Sequence, residues 1–344
     1  MYSFKNDYSE GAHPRILQAL VDTNLVQQMG YGEDQYGKQA KELLKQQMNH
    51  LEATVFFVSG GTQTNLLVIA SLLRIHEAVI SAKTGHIYAN ETGAIEATGH
   101  RVIPVETPDG KLLPSDIELI LQQYALRPHV VKPKMVYISN STEIGTIYQK
   151  AELEQLSAYC KSEGLYLFLD GARLGHALTA IVNDLTLSDI SRLTDVFYIG
   201  GTKNGALLGE AIVFNKPELG LEFDYVLKQR GAMLAKGRIL GIQFLELFRD
   251  DLYFSLARRA NEMAMKIATA IQATGFAFLT APTTNQIFPI LPNALITVLS
   301  TKYDFFIWKA VDADQSAIRL ITSWATDEEQ VNAFIMDLTT FKND

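Results

Sequence analysis

The 344-residue sequence has one cysteine, Cys160, so no disulfide can close within the chain, which fits a reducing, cytoplasmic compartment. It also lacks a cationic surplus: 30 Lys plus Arg stand against 38 Asp plus Glu, a formal net charge of −8. No Lys/Arg-rich run offsets that balance, which argues against nucleic acid or an anionic membrane as a nonspecific partner. Long hydrophobic runs are missing as well, since Leu66 to Leu73 falls far short of a bilayer span. Met1 to Glu10 is polar and charged, without the apolar stretch of a secretion signal. What is present is a 47% hydrophobic, 10% aromatic composition, ordinary for a globular enzyme and unlike that of a disordered chain. The length is too great for one small core, so two units are expected, 1–255 and 256–344.

Short β-branched or aromatic runs alternate with helical patterns, which predicts an α/β fold with a mainly parallel sheet flanked by helices. The runs are Thr54 to Val58, Val79 to Ala82, Val102 to Glu106, Lys134 to Ser139, Leu165 to Leu169, Val196 to Ile199 and Ala211 to Phe214. Ser115 with Glu118 reads as a helix-capping pair, and so does Thr326 with Glu329 ahead of the last helix. Cys160 shares a helical face with Leu153 and Leu156 and reads as a small core residue. A mostly helical stretch follows Phe214, and then short strands at Ile296 to Leu299 and Ile318 to Thr322 make a smaller α/β unit.

Three features sit at predicted strand ends, where open α/β sheets place their ligands. Ser59-Gly60-Gly61-Thr62 leads from a strand into a helix and reads either as a plain turn or as a phosphate cradle of backbone N–H groups. Asp170 follows an apolar strand and precedes Gly171, as a helix cap, a metal ligand or the partner of a protonated ring nitrogen would. No His/Asp/Glu cluster with metal-ligand spacing surrounds it, so no metal is expected. Lys203 lies between Gly200-Gly201 and Gly205, as a solvated turn lysine or where a bulky cofactor approaches the backbone. In this order the three match a phosphate, a pyridine nitrogen and an aldehyde, the three handles of pyridoxal phosphate.

Beyond these, Tyr31-Gly32-Glu33-Asp34-Gln35-Tyr36-Gly37, Gly85-His86-Ile87-Tyr88 with Glu91, Leu169-Asp170-Gly171-Ala172-Arg173 and Gly201-Thr202-Lys203 occur in one order along the chain. In these the sequence resembles the threonine aldolases, of the β-eliminating lyase group of fold-type-I pyridoxal-phosphate enzymes. The resemblance implies that Lys203 holds the cofactor's aldehyde, Asp170 keeps its ring nitrogen protonated and His86 stacks on the ring. It implies that Ser59, Gly60, Gly61 and Thr62 hold the phosphate, and that Arg173 and Arg319 bind the substrate carboxylate. Arg238 would reach the phosphate of a neighbouring subunit, although the loop before it, Met233 to Gly237, matches the family's only loosely. A homodimer or homotetramer acting on a small β-hydroxy-α-amino acid is implied too.

Two positions depart from the family pattern. Asn6 stands where a carboxylate-binding serine is usual, and asparagine can still donate a hydrogen bond. Glu143, in Asn140-Ser141-Thr142-Glu143-Ile144-Gly145, stands where a histidine usually faces the substrate's β-hydroxyl. Glu143 would serve either as the general base or in a salt bridge. The expected reaction is cleavage of L-threonine or L-allo-threonine to glycine and acetaldehyde. The alternatives are β-elimination, cleavage of a bulkier substrate such as phenylserine, and, remotely, a cofactor-free binding protein.

Overall fold

The alternating apolar runs assemble as a seven-stranded sheet in a computed structural model that describes residues 1–341. A short N-terminal strand, β1 (Tyr2–Ser3), precedes them. The sheet strands are β2 (Thr54–Val58), β3 (Glu77–Ala82), β4 (Arg101–Val105), β5 (Lys132–Ser139), β6 (Tyr166–Asp170), β7 (Val196–Gly200) and β8 (Glu210–Phe214). Their order is β2-β8-β7-β6-β5-β3-β4, parallel throughout except at β8, which runs against both its neighbours.

Both faces of the sheet are buried, as a parallel sheet covered by helices requires. Along β5, Val136 and Ile138 enter one apolar cluster, while Met135 and Tyr137 enter the cluster on the opposite face. Cys160 packs in the first of these as a free, buried thiol. Tight contacts hold the strand ends together. A Cβ on Gly171 would lie 1.8 Å from the carbonyl oxygen of Tyr198, so only glycine lets β6 end this close to β7.

A smaller antiparallel sheet follows. It joins β9 (Gln286–Ile287), β10 (Ile290–Pro292), β12 (Phe306–Ala310) and β13 (Gln315–Ile321), with β13 at its centre. The strand β11 (Tyr303–Asp304) pairs instead with β1, tying the N-terminus to this region. The helix Leu252–Ala273 links the two sheets: Leu252, Tyr253 and Leu256 pack in the first core, and Met263, Ile267 and Ile271 in a separate cluster with Phe4 and Phe334. No helix among the described residues is long and apolar enough to cross a membrane.

Three local expectations are corrected. Ile296 to Leu299 is helical, within Asn293–Leu299, and buries Leu295, Ile296 and Leu299 on one face. Packing of that face outweighs the β-branched preference of the run. The helix expected to be capped by Ser115 starts at Pro114, and Asp116, not Glu118, accepts from Leu113 N–H at 2.8 Å. Proline fits the first helical position because its missing N–H would have been unpaired there. Asp327 caps the last helix by accepting from Glu329 N–H at 2.9 Å, while Thr326 Oγ1 accepts from Ser323 N–H.

Candidate active site

A cavity of about 660 Å³ opens at the carboxyl ends of the central strands and is closed on one side by β12 and β13. Every candidate residue taken from the sequence lines it except Arg238. The Arg238 guanidinium instead donates to the carbonyls of Thr23, Asn24 and Val26 of its own chain.

The floor is built by adjacent parallel strands. Asp170 ends β6 opposite Ser139 of β5, and the flanking strands β5 and β7 bring Tyr137 and Tyr198 to it from either side. Tyr137 Oη donates to Asp170 Oδ2 at 2.5 Å and Tyr198 Oη to Oδ1 at 2.6 Å. Asn65 Nδ2 at 3.3 Å and Ala172 N–H at 3.0 Å complete the set. Burial and the Asp170 charge push both tyrosines well above their usual pKa, so they remain donors. Four donors keep Asp170 ready to face a cation such as a protonated ring nitrogen.

Lys203 follows β7 and makes no hydrogen bond or ion pair among the described residues. Burial, and next the Arg173 charge, lower its pKa, which favours the nucleophilic amine. Its loop is held by Glu210 of β8, which accepts from Gly201 N–H at 3.1 Å and Thr202 Oγ1 at 2.9 Å. Burial pushes Glu210 up to about 8.

At the phosphate turn, the helix Gly61–Leu72 starts from Gly60 with no side-chain cap, leaving first-turn N–H groups for an anion. Nothing lies within 4 Å of where a Gly60 Cβ would be. Ser59 Oγ is already engaged, donating to Gln63 Oε1 at 3.0 Å.

His86 Nδ1 lies 2.8 Å from Glu91 Oε1, which also accepts from Asn65 Nδ2 at 2.7 Å. Burial opposes protonation of His86, but Glu91 and the charge of Asp170 outweigh it and its pKa is raised. Glu143 Oε1 accepts from His86 N–H at 2.9 Å and Ser139 Oγ at 2.7 Å. No lysine, arginine or histidine side chain pairs with Glu143 among the described residues, leaving the salt-bridge alternative without a partner. Burial and then Asp170 raise the Glu143 pKa.

The two arginines differ. Arg173 makes a two-point bond to Asp7, Nε to Oδ2 at 2.7 Å and Nη2 to Oδ1 at 3.0 Å. Asp7 also accepts from Asn285 Nδ2 at 2.9 Å. Burial works against ionisation of Asp7, yet Arg173 and Lys203 hold its carboxyl well below the usual range. Arg319, on β13, has no such acid. Asn6, beside Asp7, uses its Oδ1 to accept from Tyr8 N–H at 2.9 Å and Ser9 Oγ at 3.0 Å.

Asn65, Tyr137, Tyr198, Glu210 and the Arg173 partner Asp7 were not assigned roles from sequence. A signal existed for the tyrosines: each interrupts an otherwise apolar buried strand, where an O–H must find a partner. The uncapped turn, the unpaired lysine and the four-donor carboxylate together fit pyridoxal phosphate. The fold and site define a fold-type-I pyridoxal-phosphate enzyme.

Residues 14–293 match the beta-eliminating lyase family, and the chain belongs to that family. A low specificity L-threonine aldolase of Pseudomonas aeruginosa is 31% identical over 340 residues, covering 97% of this chain and 96% of that one. The structure of Leishmania major threonine aldolase superposes with a TM-score of 0.97 at 47% identity, covering 98% of this chain and 99% of that one. Thermus thermophilus aspartate aminotransferase shares the fold, with a TM-score of 0.70 at 14% identity over 98% of this chain and 90% of that one.

Proposed function

We propose that the protein cleaves L-threonine and L-allo-threonine to glycine and acetaldehyde, the activity class in the names of its relatives. The observation that carries this reading is Glu143: a carboxylate on the cavity wall with one oxygen bonded and a raised pKa. Such a group suits removal of a β-hydroxyl proton, the event that starts aldol cleavage.

Lys203 would hold pyridoxal phosphate at its aldehyde, the Gly60-Gly61-Thr62 turn would hold its phosphate, and His86 would cover its ring. When bound, that cofactor supplies a conjugated ring that accepts the electron pair of the breaking Cα–Cβ bond. Asp170, held by its four donors, keeps the ring-nitrogen proton in place. Arg319, with Arg173 and Asn6 nearby, fixes the substrate carboxylate and so the direction of the Cα–Cβ bond, a positioning effect. Glu143, oriented by the His86 backbone N–H, accepts the β-hydroxyl proton.

The purified holoenzyme is expected to be yellow and to release glycine and acetaldehyde from threonine. Lys203→Ala should abolish both the covalent cofactor band and turnover. 2-Oxobutanoate plus ammonia from threonine, instead of glycine and acetaldehyde, would overturn the reading in favour of elimination. A bulkier substrate such as phenylserine is the second reading, favoured by the apolar mouth of Tyr8, Phe306 and Ile307.

A homodimer or homotetramer in a cytoplasmic compartment completes the proposal. Exposed Leu17, Val21, Leu25 and Met29 support association, and Arg238 would serve a neighbouring subunit. The single buried thiol is compatible with reducing conditions. Division into 1–255 and 256–344 is likewise proposed, supported by the separate apolar cluster around Met263 and Ile318.

A further inference from the structure

Arg319 is the arginine of the cavity without a partner acid. Its Nε is buried without a hydrogen-bond partner, and no carboxylate lies within ion-pair distance among the described residues. Burial, then the neighbouring Arg173 charge, lowers its pKa. The Arg173–Asp7 pair is formally neutral, so Arg319 supplies one unmatched positive charge against the single negative charge of an α-carboxylate.

An arginine left without an anion in a desolvated site is costly unless something offsets its charge. Here aromatic faces do. The Arg319 guanidinium carbon lies 4.8 Å from the Phe306 ring centroid and 5.4 Å from that of Trp308. Phe306 is the direct cross-strand partner of Arg319, and β12 then slips register between Ile307 and Lys309, leaving Trp308 as the extra residue of a bulge. Trp308 is anchored in turn against Phe288, with centroids 5.2 Å apart in an edge-to-face contact. Ring faces attract a guanidinium without consuming its N–H donors, whereas a protein carboxylate would occupy the fork.

We infer that Phe306 and Trp308 are positioning residues that hold Arg319 with its donors free for the substrate's α-carboxylate, while Arg173 stays committed to Asp7. The inference rests on the site reading above and deepens it. It predicts that the two arginines are not equivalent: losing the aromatic cradle weakens recognition of the carboxylate, not of the amine.

The test titrates holoenzyme with glycine and with 2-aminoethanol, which carries an amine but no carboxylate, following the cofactor absorbance. Trp308→Leu is expected to weaken glycine about tenfold and aminoethanol less than about twofold, with KM for threonine rising in parallel and kcat falling less than about threefold. Phe306→Leu should do the same to a smaller extent, and Trp308→Phe should restore most of the glycine affinity. Equal weakening of both amines, or no change for either, overturns the inference. A wild type that binds glycine but releases no aldehyde from threonine would sink the proposed reaction, while the glycine comparison would still decide the role of Trp308.

Discussion

The Asp170 wall of the cavity and the β12–β13 wall are built on opposite bonding rules. Asp170 receives four donors, and Arg173 is locked to Asp7 by two, so these groups have no orientational freedom left. Across the cavity, Arg319 keeps an unpaired Nε. Glu143, in the loop after β5 on the Asp170 side, is open too, with hydrogen bonds to one oxygen only. A saturated buried network fixes geometry, whereas an unsatisfied one stores recognition for a ligand. The saturated groups are therefore expected to govern stability and cofactor retention, and the open groups substrate binding and turnover.

The largest expected effect falls on an open group, Glu143. Glu143→Gln should lower kcat by roughly 10²–10⁴-fold, the usual worth of a general base, with little change in thermal stability. Its pH profile sharpens the point. Burial and Asp170 raise the Glu143 pKa, so protonation removes the base as pH falls through that raised value. Wild-type kcat should decline on the acid side above the ordinary carboxylate range, and the Gln variant should lose that limb.

Asp7→Ala should instead strike stability, by about 3–5 kcal/mol in denaturant unfolding, because it strands a buried arginine beside Lys203 and Arg319. Unchanged stability would break the distinction between saturated and open groups. Tyr198→Phe is the gentlest probe. Removing one donor to a charged acceptor should weaken cofactor binding by about tenfold, measured by fluorescence of the apoenzyme titrated with pyridoxal phosphate.

Legibility in the sequence followed the distance over which each feature is encoded. All seven runs read from residue pattern became strands of the central sheet, because side-chain alternation and helical periodicity are local. The Ile296 to Leu299 run failed because its β-branched residues point one way and the surrounding pack of Phe4, Leu295 and Phe334 the other. Capping was misplaced where a neighbouring Pro114 or Asp327 competed for the same helix start.

Short contiguous motifs by themselves determined the positions of Asp170, Lys203 and the Gly60-Gly61 turn, since each is a strand-end signature complete within a few residues. Tertiary structure alone decided what those groups face. Asp7 meets Arg173 across 166 positions of chain, and Tyr137 and Tyr198 reach Asp170 only because their strands flank it. The register slip in β12 likewise sets Trp308 against Arg319. Charge compensation depends on proximity in space, and proximity between distant segments is fixed by sheet order and register rather than by any local pattern.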